Sequence, residues 1–409
     1  MKILYYSAHP NLNLTNTAGY GTHMREMINA FRELGHKVLP VIIGGTKINS
    51  IVSPNNKIRS LVKKIMPKIL WETIKDIKLL KIDNLAEKRL EKEIKDFKPD
   101  LIYERAAYMQ TSGVNIAKKL NIRHVMEFNS PYVEERQVFS GKSLLLNKGN
   151  EKEAKQLNLT DKVIVVSTPL KKYFINKHLI SEKKIIVTPN AININYINTN
   201  ENKVEELKEK LKLKNKIVIG FVGSIVKWHG VDLLVKAFGK LTEDHPEIKL
   251  LIVGDGEPMK ELKTLAEPFK EQTIFTGYIP HSDVSSYIRL MNITVMAKSN
   301  WYGSPIKIFE YGAFGKAIIA SDLDPISEVM EDGKDGLLID INVNELKEKM
   351  SILIADINLR KRLGQNFKTK IFEKYQWKNN VKRVLQHVIT SKPRPPSPVQ
   401  CEMSDRSMK

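Results

Sequence analysis

Twelve short runs rich in β-branched residues alternate with stretches of helical apolar spacing, and this alternation leaves the chain few folds to adopt. The first six runs are MKILYYS, KVLPVIIG, LIYER, RHVMEF, KVIVVS and KIIVTP. The second six are KIVIGFVGS, KLLIVGDG, QTIFTG, NITVMA, KAIIASD and DGLLID. Strands that alternate with helices build parallel sheets covered on both faces, so the fold class is α/β. A chain of 409 residues is long for one core, and each half has the strands for its own twisted sheet. The Asn-rich stretch NAININYINTNENK, residues 190–203, reads as the linker. The expected organisation is an N-terminal domain over 1–195 and a second domain over 196–375. A helix over 376–391 returns to the first domain, and a disordered Pro- and Ser-rich tail fills 392–409.

Residues 57–98 stand apart, with thirteen Lys or Arg against seven Asp or Glu. Ile58, Leu61, Val62 and Ile65 share one helical face, and Lys57, Lys63 and Lys64 lie on the other side. Pro67 breaks the run before Leu70 and Trp71. Such a basic amphipathic insertion suits an anionic membrane surface. The alternative is a solvated helical excursion packed on the first domain. The formal net charge of +20 favours anionic partners without choosing among them. No aromatic-basic signature of RNA binding is present, so nucleic acid is not an expected partner. No run of 18 apolar residues exists, and no signal peptide precedes the first strand. The single cysteine, Cys401, excludes an internal disulfide and a cysteine zinc cluster, and it does not sit in a prenylation box. The histidines show no ligand spacing, so no metal is expected. These features fit a cytoplasmic protein, with a peripheral place at the inner face of a membrane left open.

The stretch GSPIKIFEYGAFGKAIIASD, residues 303–322, carries the most chemistry. Ser304 is a good N-cap and Pro305 suits the first helical position. The first turn of such a helix exposes free N–H groups and a partial positive charge, which together bind phosphate. Lys307 adds a full charge on that turn. Glu310 lies about 7.5 Å further along the axis than Pro305, leans back toward the N-terminus and shares a face with Ile306 and Lys307. A carboxylate is a poor neighbour for phosphate but a good acceptor for two vicinal hydroxyls. A nucleoside diphosphate presents both groups at about that separation. The bland alternative is a half-exposed helix carboxylate. Gly312, Ala313 and Gly315 let the helix pack closely and stop.

Other segments repeat a known order. NTAGYGTHMREMINAFRELGHKV (16–38) is a glycine loop entering a helix, and VIVVSTPLKKYF (163–174) and VTPNAINI (187–194) follow. GFVGSIVKWHGVDLLVKAF (220–238), LLIVGDGEPMKEL (251–263), IFTGYIPHSDVSSYI (274–288) and SPIKIFEYGAFGKAIIASD complete the series. Together, over about residues 1–390, they resemble family 4 retaining glycosyltransferases. The W-H-G turn and the S-P-x-K helix start are similar to one branch of that family. The resemblance implies the GT-B fold, two Rossmann-like doubly wound domains facing a cleft. It implies a nucleotide-sugar donor in that cleft, UDP- or GDP-linked, and transfer to an acceptor hydroxyl with retained configuration and without a metal. Cations and N–H dipoles would then stabilise the departing diphosphate.

The same resemblance assigns roles. Glu310 corresponds to the ribose ligand, and Ser304, Pro305, Ile306 and Lys307 line the diphosphate and sugar side. Gly21 lets the backbone approach the diphosphate, and Tyr278 and Ile279 touch the base. Ser224 and His229 stand where many members have Arg and Lys, with Lys227 between them able to replace the charge. Tyr302 stands where the family's first glutamate falls. On the acceptor side the candidates for catalysis and positioning are Glu127, Asn129 and His23, while Glu134 and Glu135 read as solvated. The acceptor class is a glycolipid or a cell-surface polysaccharide precursor. The competing function is a non-catalytic protein of the same fold that binds a sugar nucleotide or scaffolds a partner. A sugar-nucleotide epimerase of the same fold lacks support from the S-P-x-K start.

Overall fold

The computed structural model describes residues 1–16, 19–45, 66–198 and 200–389. The face formed by Ile58, Leu61, Val62 and Ile65, the neighbouring Lys57, Lys63 and Lys64, and the tail with Cys401 therefore lie outside the described residues. The chain divides into two compact units, one of residues 1–188 with 380–409, the other of 189–379.

In the first unit six parallel strands form one sheet. They are β1 (Lys2–Ser7), β2 (Lys37–Ile42), β3 (Leu101–Arg105), β4 (Arg123–Phe128), β5 (Lys162–Val165) and β6 (Ile185–Val187), in the order β2-β1-β3-β4-β5-β6. The strands are mostly apolar because helices cover both faces, with buried Glu104, Arg105, His124 and Glu127 as exceptions on β3 and β4. Leu4, Tyr6 and Ile102 pack on one side with Leu90, Ile94 and Ile116. Tyr5 and Tyr103 stack on the other, with Phe31 of α1 (Gly19–Glu33) edge-on to Tyr103.

The described part of the basic stretch forms a 30-residue helix, α2 (Lys68–Phe97), with Pro67 at its cap position. It packs on the first unit, as the alternative reading had it, and three of its acids, Glu72, Asp76 and Asp83, are buried. Asp83 accepts the N–H groups of Thr111 and Ser112 at 2.8 and 3.0 Å, at the start of α3 (Ser112–Lys119). Those N–H groups are unsatisfied within the helix, and the carboxylate also meets the positive end of its dipole. Arg136 reaches Asp76 at 3.0 Å and Glu72 at 2.9 Å, from α4 (Tyr132–Ser140). The outward face keeps Leu70, Ile74, Ile77 and Leu85 exposed among Lys78, Lys81, Lys88 and Arg89. Val138, Phe139 and Leu144 are exposed as well, and the Leu144 N–H donates to Thr73 Oγ1 on α2. Glu135 accepts from Ser130 Oγ at 2.7 Å and so is held rather than merely solvated. Among the described residues no helix is long and apolar enough to cross a membrane.

The second unit repeats the architecture. Its strands are β7 (Ile217–Val222), β8 (Ile248–Val253), β9 (Thr273–Phe275), β10 (Ile293–Met296), β11 (Ala317–Ser321) and β12 (Leu337–Ile339), ordered β12-β11-β10-β7-β8-β9. Strand order reverses between β7 and β10, and ligands of doubly wound sheets bind at the carboxyl ends beside such a reversal. The domain boundary falls a few residues before the expected 195. Asn190 donates its N–H to Ser304 Oγ, and Ile192 donates to Tyr375, so this stretch belongs to the second unit by its hydrogen bonds. At the other end the second unit runs to Asn379, and residues from Asn380 group with the first.

Candidate functional site

The second unit builds its site around the end of β7. The eight-residue helix Ile306–Ala313 starts there, with Pro305 at the cap position and no side-chain cap. Ser304 is therefore not the N-cap that its sequence position suggested. Its hydroxyl accepts the Asn190 N–H at 2.9 Å, and its carbonyl accepts from the Asn190 side chain, which fixes the loop ahead of the helix. Asn300 Oδ1 accepts the Gly303 N–H and tightens the same loop. Tyr311 ties the helix to the strand end, accepting the Val222 N–H at 2.9 Å. The first turn thus has no side-chain acceptor; the Ile308 N–H is taken by the Pro305 carbonyl at 3.1 Å.

Lys307 lies along this junction. Its ammonium stands 5.5 Å from the centroid of the Phe221 ring. Gly223 has φ +137°, and a Cβ there would come within 2.2 Å of Lys307 Cε. The backbone conformation requires glycine at 223, and any side chain there would push the end of Lys307 aside. Gly223→Ala is expected to lower stability by about 1–2 kcal/mol and to weaken nucleotide binding about tenfold by displacing Lys307. A denaturant titration and a calorimetric titration read the two effects separately.

Glu310 follows one turn later. Burial raises its pKa, and Lys307 and the nearby Tyr196 hydroxyl partly offset the rise. Burial likewise lowers Lys307, to about 8, against the pull of Glu310. Both residues keep some exposed surface, but their charged ends sit among packed atoms. A cation and a carboxylate are thereby held side by side at a helix N-terminus. Tyr196 was missed by the sequence reading. It lies in the stretch taken as linker, and its ring packs 6.0 Å from Phe314.

The remaining donor-side candidates scatter. His229 Nδ1–H donates to the Ser224 carbonyl at 2.8 Å, and burial, with Lys307 second, holds its pKa down at about 3. A neutral imidazole does not replace a lysine charge. Ser224 itself is exposed. Lys227 lines a different pocket of about 260 Å³ with Asp232, Glu261 and Lys298, which neither Lys307 nor Glu310 lines. Tyr278 is 67% exposed, free to meet a planar ligand, and Ile279 packs into the core. Tyr302 is buried and edge-on to Trp301, so it is a packing residue.

The first unit gathers its candidates at the end of β4. Glu127 is buried and takes four partners. His23 Nε2 lies 2.8 Å away, Arg105 donates at 3.1 Å, Tyr103 donates at 2.6 Å, and Asn129 donates from its side chain. Burial alone would raise the Glu127 pKa; His23, Arg105 and Tyr103 outweigh it and hold the value at about 2. The structure brings Glu127, Asn129 and His23 together, with the carboxylate as the hub that orients the other two. Arg105 was missed, although a lone arginine ending the run LIYER is the available signal. Gly21 lies inside α1, not in a loop, and a Cβ there would meet the Asn16 carbonyl at 2.1 Å. Its glycine serves the turn of its own chain, which Arg25 secures through the Leu14 and Asn16 carbonyls. Among the described residues no group of three or more His, Cys, Asp or Glu is placed to hold a metal.

Fold and site together define an α/β protein of two doubly wound units, the second carrying Lys307 and Glu310 on a helix without a side-chain cap. The model of glycosyl transferases group 1 matches residues 203–370, and that of glycosyltransferase family 4 matches residues 17–196. The chain belongs to this glycosyltransferase family, and its two sheets are those of the GT-B fold. An uncharacterized glycosyltransferase of Methanocaldococcus jannaschii is 34% identical over 225 residues, 54% of this chain and 56% of that one. The capsular polysaccharide biosynthesis glycosyltransferase CapM of Staphylococcus aureus is 28% identical over 219 residues, 52% of this chain and 57% of that one. The chain thus spans little more than half the length of these curated relatives. The crystal structure of Anabaena HepE in complex with UDP superposes with a TM-score of 0.68 at 16% identity, covering 94% of this chain and 100% of that one.

Proposed function

We propose that this protein is a retaining glycosyltransferase that moves a sugar from a UDP- or GDP-linked donor to an acceptor hydroxyl. The observation that carries the reading is the juxtaposition of Lys307, Glu310 and the uncapped helix start at the strand-order reversal. The helix N–H groups and Lys307 take the diphosphate, and Glu310 takes the ribose hydroxyls. As the glycosidic bond breaks, charge grows on the diphosphate, and the same fixed dipoles and ammonium stabilise it without a metal. In the first unit His23 and Asn129, oriented by Glu127, position the acceptor. A glycolipid or cell-surface polysaccharide precursor is the acceptor class, in keeping with the capsular role named for one relative. The nucleotide is tested by a thermal-shift panel of UDP, GDP, ADP and CMP. One diphosphate should stabilise the protein and the others should not; a folded sample stabilised by none would remove the donor reading.

A second reading, a non-catalytic sugar-nucleotide-binding or scaffold protein, is favoured by three positions. Tyr302 is buried, His229 is neutral and Ser224 is uncharged. Retention of Lys307, Gly223 and Glu310 weighs against it.

The outward face of α2 supports an anionic membrane as partner, at the cytoplasmic side. Exposed Leu70, Ile74 and Ile77 beside Lys78 and Lys81 combine insertion with charge attraction. Ile74→Glu with Ile77→Glu is expected to weaken binding to vesicles containing phosphatidylglycerol about tenfold or more. Equal sedimentation of variant and native protein with those vesicles would remove this partner.

A further inference from the structure

A second cluster of cations lies in the second unit, away from Lys307. A pocket of about 210 Å³ is lined by Arg289, Lys316 and Lys368 with Ile197, Ala313 and Phe314. No carboxylate is among these lining residues. Lys316 donates one N–H to the Arg289 carbonyl at 2.9 Å, at the end of the helix His281–Leu290. This contact closes a helix C-terminus, but it occupies one of three ammonium donors. Arg289 reaches Glu201 at 2.7 Å, outside the lining. The Lys368 ammonium stands 5.9 Å from the Phe372 ring centroid.

Glu201 offsets part of the Arg289 charge, but Lys316 and Lys368 line the same small cavity with no carboxylate in its lining, and their repulsion costs free energy that an anion would recover. The strain registers on Lys316: burial first, then repulsion by Arg289 and Lys368, lowers its pKa to about 8. Helix capping accounts for Lys316, and the Phe372 ring stands beside the Lys368 ammonium; neither contact supplies a negative charge to the cavity that both lysines line. The volume suits a tetrahedral anion with a small organic body, for which Ile197, Ala313 and Phe314 supply an apolar wall. Lysines and arginine around a pocket are the side chains that recognise phosphate.

We propose that the pocket of Arg289, Lys316 and Lys368 binds a phosphate dianion, free or as a small phosphomonoester, at a site separate from the donor site. Calorimetric titration of the intact protein with inorganic phosphate and with glycerol 3-phosphate tests it. One binding event should persist in Lys307→Met. It should weaken about tenfold or more in Lys316→Met combined with Lys368→Gln, and about threefold in the milder Lys368→Gln alone. UDP affinity, unchanged in those variants, reports that the unit is folded. Tighter binding of glycerol 3-phosphate identifies an organic ester as the ligand, and preference for inorganic phosphate identifies the free ion; either supports the site. The proposal falls if neither probe binds at millimolar concentration, or if phosphate affinity is the same in the double variant. It falls equally if phosphate binding disappears in Lys307→Met, which would place the ion in the donor site.

Discussion

Lys307→Met should weaken nucleoside diphosphate binding by roughly 100-fold and remove sugar transfer, and Glu310→Gln should weaken binding roughly 30-fold. Hydrogen bonds to charged groups contribute about 1.5–3 kcal/mol each, and every 1.4 kcal/mol is a factor of ten. Lys307 sits at the larger figure because it also balances the charge that develops on the leaving diphosphate. Its pKa of about 8 gives the effect a pH signature. Below that value the ammonium is charged and binds; as pH rises through it the charge is lost and affinity falls. In Lys307→Arg the guanidinium stays protonated, so the decline above pH 8 should disappear even if the affinity itself is reduced. Calorimetric titrations between pH 6.5 and about 9.5 read both effects. An affinity that is flat with pH in the native protein would show that Lys307 does not face the diphosphate.

Glu127→Gln is the second large effect, and it should appear first in stability. The native carboxylate is held at about 2 against an ordinary value of 4.5, which corresponds to about 3 kcal/mol. The folded value is the lower one, so this contribution is present above pH 4.5 and fades as pH falls from there toward 2. The variant should lose it near neutrality and show a flatter acid limb, because the group that titrates there is gone. Removing the charge also leaves Arg105 buried without its carboxylate. Activity should fall for a separate reason. His23 and Asn129 would lose the group that orients them, and small misplacement of positioning groups costs about 100-fold in rate. Nucleotide affinity, which resides in the second unit, should stay within about twofold. If Glu127→Gln weakened nucleotide binding and left transfer intact, the division of roles between the two units would be wrong.

Much of this was legible in the chain because the signals are local. Each of the twelve runs is a strand, since a strand buried on both faces is rich in apolar and β-branched residues. Lys307 and Glu310 could be paired from sequence because three residues apart on a helix is a spatial rule. What escaped depended on distant partners. Ser304 looks like a cap until Asn190, 114 residues earlier, is found bonded to its hydroxyl. Glu72, Asp76 and Asp83 of α2 look solvated until Arg136 and the start of α3 are found beneath them. Arg105 meets Glu127 because β3 and β4 are adjacent in register, a pairing no local pattern encodes. Gly21 read as a ligand-facing glycine, whereas the close approach it permits is that of Asn16 in its own loop.

The central claim is that the second unit activates a nucleotide-sugar rather than merely holding it. The measurement that tests it most directly is time-resolved proton NMR of a panel of UDP- and GDP-sugars incubated with native protein and with Lys307→Met. The account predicts that one donor releases its nucleoside diphosphate, that the sugar first appears in the anomeric configuration of the donor, and that Lys307→Met stops the release. Binding of a donor with no release of diphosphate across the panel, with or without membrane extract as acceptor source, would contradict it and leave the sugar-nucleotide-binding reading in its place.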